Sequence, residues 1–505
     1  MDLLIQEFES AEVRTMSDKN NLNLSPDKFT FVQRDKNIKD EKFETKPVGY
    51  FKDAWYRFSR NKGSVVAAYI ILFLVLFALI VPFFSKFKVS YVDGYYKYMP
   101  AKSSTLSKYG IMDGLSKLKG INQQQFDYYN AIPDCVVSVD REYELEDAGR
   151  SYAYYDITID AYKKVGYVYK LLTKSEYEAV LAYQEETGIQ LLFPMINTNL
   201  INNPSYAEDA NMWYANTPKG AAEYDANGEY VNIYLTDSES EDGYKYYTQK
   251  NNGTQYQVRV YYYDYYVYEH GFEPSFFLGT DGYGKDILVN LAAGARLSFL
   301  LSFVIATINF CIGTVYGAIE GYYGGRVDMI MERIVEIIVE IPFIIIVTLF
   351  QLYFAKKVGV VPTLIFAFMF NGWVGIAGRV RTQFYRFKGQ EYVLAARTLG
   401  ARDKRLIFRH ILPNALGTIV TSAVLMIPNV IFSEAYLSFL GIIDLQTSNN
   451  TSIGTMLQIG QACLTTYPHV IFFPALFISL LMICFNMFGN GLRDALNPSL
   501  RGAEE

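Results

Sequence analysis

Apolar positions cluster in two places along the chain. One run covers residues 65–84; the others recur only beyond residue 296. Residues 65–84 supply the roughly twenty apolar residues that a bilayer core requires of a helix. The same measure predicts five further spans, at 297–321, 334–354, 361–378, 415–440 and 468–488. Pro342 falls inside the third of the six and Pro428 in the middle of the fifth. A short inner loop at 322–333, a long basic loop and a polar, partly re-entrant outer loop at 441–467 connect them. The even number of spans puts both termini on one side of the membrane.

Charge fixes which side that is. The basic loop carries Arg379, Arg381, Arg386, Lys388, Arg397, Arg402, Lys404, Arg405 and Arg409, opposed only by Glu391 and Asp403, and is therefore assigned to the cytoplasm. The basic leader of the first span agrees, although Lys86 and Lys88 on its far side weaken that vote. Residues 1–47 are polar and charged, without the apolar core of a signal peptide, and read as a flexible cytoplasmic tail. Phe51, Trp55 and Phe58 follow at helical spacing beside Lys52, Arg57, Arg60 and Lys62. Two readings stand: a helix lying in the membrane interface, or a plain juxtamembrane linker.

Residues 85–276 contain no spanning run. They are acidic by count and rich in tyrosine, and are long enough to bury a core. Mixed Val and Tyr alternation from Gln255 to Tyr268 predicts strand, residues 174–187 a helix, and Asn227-Gly228 and Asn252-Gly253 tight turns. The expectation is a folded extracytoplasmic α+β domain. Its tyrosines fit a wet recognition surface, and equally the plain preference of strands for that residue.

Composition adds little: 51% hydrophobic residues and a mean hydropathy of +0.07 average a polar first half with an apolar second. Cys135, Cys311, Cys463 and Cys484 lack CxxC spacing, and His270, His410 and His469 lie far apart, so neither a disulfide framework nor a metal site is indicated. Gly279, four residues, Gly284 and Lys285 nearly spell a phosphate-binding loop. Asp286 then stands where such a loop needs Ser or Thr to hold magnesium, and ATP binding is rejected here.

Within the basic loop, Val393, Ala396 and Leu399 can share one helical face, Gly400 suits a helix end, and a second apolar pattern from Leu406 ends at Pro413. Ala395-Ala396, three residues, Gly400, then Ile411-Leu412-Pro413 resembles the "EAA" loop of ABC importer permeases. Gly279-Thr280-Asp281, Gly284-Lys285-Asp286 and Gly294-Ala295-Arg296-Leu297-Ser298 resemble the segment that opens the permease core of the oligopeptide/dipeptide/nickel group, with Lys285 in place of the usual Arg. Arg296 is expected near the headgroups. The motif from Glu434 to Gly441 and the one from Gly491 to Pro498 strengthen the likeness to its C-type subunit. Leu394 departs from the pattern, standing where the loop's eponymous Glu belongs, and the large insert is foreign to it.

The resemblance implies an all-α polytopic membrane core of about six transmembrane helices, of ABC importer permease type; the extracytoplasmic α+β domain expected from the residues themselves is inserted into it. The divisions are a tail and interfacial helix at 1–64, the first span at 65–84, the insert at 85–276, the core at 277–488 with its coupling loop at 379–414, and a cytoplasmic tail at 489–505. It further implies a non-enzymatic transport subunit in the bacterial cell membrane with no cofactor of its own, ATP and Mg residing on two ABC ATPase subunits. A B-type permease subunit and an extracytoplasmic substrate-binding lipoprotein complete the assembly, and nucleic acid has no part in it. Glu391, Tyr392, Ala395, Ala396, Gly400, Ala401, His410 and Pro413 become the ATPase-coupling residues. Pro428, Asn429 and Glu434 are candidates for the pathway, with a simple membrane-helix kink the other reading of Pro428. Oligopeptides or dipeptides are the expected cargo; nickel or oligosaccharides are the alternatives within the family. A sensor with an extracellular ligand domain is the rival from another class.

Overall fold

The computed structural model describes residues 50–147, 150–217, 221–240, 242–446 and 451–496. The expected tail at 1–47, and residues 497–505 of the other tail, lie outside them. Among the described residues, five helices are long and apolar enough to cross a membrane: Lys62–Phe84, Ile287–Tyr323, Val360–Phe387, Asp403–Phe439 and His469–Leu496. A bent pair, Gly325–Val339 and Phe343–Val358, makes a sixth if counted as one span. Helix α1, Tyr50–Arg60, precedes α2, Lys62–Phe84. Phe58 is buried edge-on against Phe488 at 5.4 Å, whereas Trp55 is exposed.

The long helices start and stop where capping and packing allow, which differs from the apolar-run boundaries. Helix α6, Ile287–Tyr323, begins ahead of the expected 297 because Asp286 accepts hydrogen bonds from the backbone N–H groups of Leu288 and Val289. The expected inner loop at 322–333 is largely helical: only Gly324 separates α6 from α7, Gly325–Val339. Its charges do not break the helix because they are paired across it, Arg381 clasping Asp328 with two bonds of 2.6 and 2.9 Å. Pro342 is not inside a continuous span. It stands at the N-cap of α8, Phe343–Val358, beyond a 72° bend. Pro lacks the N–H that a helix interior needs, so the break falls there. Helices α9, Val360–Asn371, and α10, Val374–Phe387, carry the next span through Arg379, Arg381 and Arg386, which the charge pattern places in a loop.

Helix α11, Glu391–Thr398, follows; then a turn, Asp403–Arg405, and a π-helical stretch, Leu406–Ile411, run straight into α12, Leu412–Phe439. Pro413 therefore opens a long helix instead of ending a short one; at the first turn its missing N–H costs nothing. Helix α13, Ile453–Ala462, occupies part of the expected outer loop and buries Ile453, Gly454 and Met456. Helix α14, His469–Leu496, is last and packs on α2, α12 and α13.

The described residues between α2 and α6 build two antiparallel sheets. One has the order β1-β3-β2 (Leu115–Asn122, Arg150–Asp160, Val136–Asp147). In the other, β4 (Tyr167–Thr173) and β5 (Leu192–Phe193) flank β7 (Gln255–Tyr261), which also pairs with β6 (Tyr247–Lys250). Helix α3 is Gln123–Asn130 and α4 is Lys174–Thr187, a match to the predicted helix, with a capping box between Thr173 and Glu176. The predicted strand from Gln255 is half right. It ends at Tyr261, and the tyrosine run continues as helix α5, Tyr262–His270. Tyr96, Tyr162, Tyr214 and Tyr266 are fully buried, so much of the tyrosine serves as core. The connecting segments pair with each other: the N–H groups of Asp93, Tyr98 and Lys102 donate to carbonyls of Gly284, Asp281 and Phe276. The near phosphate-loop motif is thus a structural turn at the root of the α+β region.

Candidate functional site

The short helix α11 is closed by a Schellman motif. The N–H of Ala401 donates to the carbonyl of Ala396 and that of Gly400 to the carbonyl of Arg397, each at 3.0 Å, with Gly400 at φ +84°. Only glycine adopts that φ without strain. One side of α11 is anchored. Val393 is fully buried among Tyr322, Phe384, Leu406, Ile407 and Ile411, with Ala396 and Ala401 half-buried beside it. Leu399, expected on the same face, instead ends the helix and is 88% exposed.

Polar ties fasten this element to both neighbouring spans. Asn414, at the start of α12, donates to the Tyr392 hydroxyl at 3.2 Å and to the carbonyl of His410 at 2.8 Å. The Tyr322 hydroxyl, at the end of α6, donates to Asp403 at 2.6 Å. Lys388 donates to the carbonyl of Gly321 at 2.8 Å and lies 3.9 Å from the centroid of the Tyr385 ring. Burial lowers the Lys388 ammonium and raises the Tyr392 phenol relative to their ordinary values. The opposite side is open to solvent: Glu391, Leu394, Ala395 and Leu399 are exposed, as are the Tyr392 ring and, farther on, Phe408 and Pro413. Ala395 is therefore the small residue on the open surface, while Ala396 packs inward.

The candidate pathway residues separate. Asn429 lines a groove of about 280 Å³ between α6, α9, α10 and α12, together with Asn309, Asn371, Arg379, Ser422 and Ser433. Pro428 is buried. Glu434 is 1% exposed and accepts hydrogen bonds from Ser298 at 2.8 Å and Ser438 at 3.1 Å. Composition alone could not distinguish a groove-facing amide from a buried acid five residues further on. It also passed over Gly313, Gly317 and Gly321. At these three, an added Cβ would lie 2.2 to 2.7 Å from backbone oxygens of α10 or of Trp373 just before it. Their four-residue spacing was the available signal.

Residues 310–502 match the profile described as binding-protein-dependent transport system inner membrane component, and residues 49–101 that of the N-terminal TM domain of oligopeptide transport permease C. The oligopeptide transport system permease protein OppC of Bacillus subtilis is 44% identical over 223 residues, 44% of this chain and 72% of that one. This chain belongs to that permease family, in its oligopeptide/dipeptide C-type group. The dipeptide transport system permease protein DppC of the same organism is 41% identical over 224 residues, 68% of its length, and OppC of Escherichia coli K12 is 37% identical over 230 residues, 74% of its length. Among solved structures, an inward-facing methionine ABC transporter aligns over 41% of this chain and 96% of its own at 20% identity, with a TM-score of 0.35. The permease is a multi-pass membrane protein and a transport subunit, not an enzyme. Most of its α+β region lies between the two matched profiles.

Proposed function

We propose that this permease forms half of the translocation pathway of an ATP-driven importer for oligopeptides or dipeptides. A B-type permease would supply the other half, two ABC ATPase subunits the energy, and an extracytoplasmic lipoprotein the cargo. The observation that carries this reading is helix α11, anchored on one side and open on the other. An ATPase surface seated against Ala395, Leu394 and Leu399 moves α11 as a rigid unit. Tyr392–Asn414 pulls on α12, the packing of Val393 with Tyr322 carries the movement to α6, and these two helices flank the amide-lined groove. Asn309, Asn371 and Asn429 there offer donors and acceptors that suit a peptide backbone. Gly400, Ala401 and His410 shape the element; Glu391 and the surrounding basic residues offer charge to the partner. In this reading the α11 side is cytoplasmic and the α+β region extracytoplasmic.

Single cysteines at Ser238 and Arg402, both exposed, test the sidedness in a cysteine-free background. An impermeant thiol reagent on intact cells should label Ser238→Cys and spare Arg402→Cys; the reverse pattern overturns the arrangement. Ala395→Glu puts a charge on the open face without touching the anchor. It should leave the permease folded and strip ATPase subunits from the purified complex. Full ATPase retention with unchanged transport in liposomes would remove α11 from the mechanism.

A further inference from the structure

The permease holds a second cleft, of about 510 Å³, at the root of the α+β region, where α14 begins. We propose that this cleft binds a phosphate group. Three lysines from three separate elements line it: Lys97 from the segment after α2, Lys117 from β1, and Lys164 from the turn before β4. Among the described residues, no carboxylate lines it. That is notable in a region where acids outnumber bases and where neighbouring lysines find partners. Lys102 pairs with Asp160 at 3.7 Å, Lys163 with Asp134 at 2.9 Å, and Lys170 with Glu269 at 3.9 Å. Lys97, Lys117 and Lys164 have no ion pair among the described residues. Asp140 is near enough to feel Lys117, but its oxygens are taken by the hydroxyls of Ser138 and Thr158, each at 2.8 Å.

Lys164 is half-buried, a position that favours an anion beside it over water alone. Tyr98 and Tyr467 stack face to face at 4.3 Å and form one wall. Thr466 and the first residue of α14, His469, form another. The positive end of a 28-residue helix therefore borders the same space. Lysines, hydroxyls and a helix N-terminus are the groups that hold phosphate. The level is that at which an apolar span emerges from the bilayer, so the phosphate can belong to an anionic lipid headgroup or be free in solution. Both sources share this chemistry, and neither depends on the transport reading.

The test uses the purified full chain in neutral detergent. The probes are short-chain phosphatidylglycerol, inorganic phosphate and a short-chain diacylglycerol, which has the same tails and no phosphate. Thermal unfolding midpoints are followed against probe concentration, for wild type, Lys164→Gln and the triple variant K97Q/K117Q/K164Q. A saturable rise is expected with a phosphate-bearing probe and none with diacylglycerol. Apparent affinity should fall at least ten-fold in the triple variant. A rise with phosphatidylglycerol alone identifies a lipid site; a rise with inorganic phosphate identifies a soluble one. Should the triple variant lose cooperative unfolding, Lys164→Gln alone must weaken the response several-fold. An equal response to diacylglycerol, a response unchanged by the substitutions, or no response to either phosphate probe overturns the proposal.

Discussion

Helices α6 and α10 meet through glycine, whereas β7 and α5 are held by tyrosine, and the contrast separates the two halves of the permease. In α6, Gly313, Gly317 and Gly321 bring the backbone against Trp373, Ala377 and Arg381, so closely that a Cβ on Gly317 would lie 2.2 Å from the carbonyl oxygen of Ala377. Between apolar helices in lipid there is little hydrophobic gain, and close backbone packing takes its place. In the α+β region the opposite holds. Tyr96, Tyr162, Tyr262, Tyr266 and Phe276 bury one another's rings, with centroids 4.9 to 6.4 Å apart across this group. Hydroxyls then reach polar partners, Tyr262 to Asp93 at 2.7 Å and Tyr162 to the carbonyl of Pro100 at 2.8 Å. Ring burial removes apolar surface from water, which stabilises only where the unfolded chain meets water. The two halves are thus built for different solvents.

The largest expected effect breaks the glycine side. Gly317→Val should destabilise the permease by about 3 kcal/mol, the upper end of ordinary overpacking, because the obstacle is backbone and cannot rotate away. Gly378→Ala on the facing helix meets nothing within 4 Å and should change stability by about 0.5 kcal/mol or less. Unfolding in detergent, followed by helical circular dichroism, compares them; equal stability of the two variants would dismiss the glycine contact.

Next is the tyrosine side. Asp93, 4% exposed, accepts from the Tyr262 hydroxyl and from the backbone N–H groups of Tyr95 and Tyr96. Tyr262→Phe withdraws the charge-assisted bond and should cost about 2 kcal/mol. Hydrogen exchange should speed up in β7 and α5 while α6 and α10 keep their protection. Equal loosening of both halves would show that they do not unfold separately.

A smaller effect sits at the junction. Burial pushes the Asp286 carboxyl up to about 6, against the two backbone N–H groups it caps. The folded state therefore holds this proton over a pH range where the unfolded chain releases it. The resulting stabilisation is complete below the unfolded value near 4 and is lost as pH rises through about 6. Asp286→Asn keeps a capping oxygen and should flatten stability between pH 4 and 6. An unchanged pH slope would place the titration elsewhere.

How much of this could be read along the chain follows from what each signal measures. Apolar runs located the spans because bilayer thickness sets their length. They misplaced the ends because a helix continues through Arg379 and Arg381 once those charges are paired or solvated. The turn at Gly400 was legible, since a small residue after an apolar face at a helix end has few other uses. The face of α11 was read only in part: Val393, Ala396 and Leu399 share a spacing, but the helix stops before Leu399 can turn inward. The stretch after Gln255 shows the limit of alternation, because Tyr261 to Tyr266 suit strand and helix alike and only packing on Asp93 and Phe276 decides. The lysine cleft had no signature, for its members come from positions 97, 117 and 164 and meet only in the fold.

The smallest effect is at Gly400, and it bears on function more than on stability. No described residue lies within 4 Å of a Cβ placed there, so Gly400→Ala meets only the strain of φ +84°, about 1 kcal/mol. That strain acts on two hydrogen bonds, those donated by the N–H groups of Gly400 and Ala401. Gly389, at the other end of α11, is equally uncrowded and has no such φ, which makes Gly389→Ala the matched control. In Gly400→Ala the amides of residues 400 and 401 should exchange about five-fold faster, as about 1 kcal/mol implies. In Gly389→Ala they should be unchanged. Gly400→Asn should fall between, because Asn tolerates the left-handed region better than Ala. Global unfolding should hardly move in any of the three, since Val393 keeps α11 anchored. If α11 is the element that seats an ATPase subunit, retention of that subunit should follow the same order, Gly above Asn above Ala. Faster exchange with undiminished retention would mean that the docking surface ends before the last turn of α11, at Leu394 and Ala395.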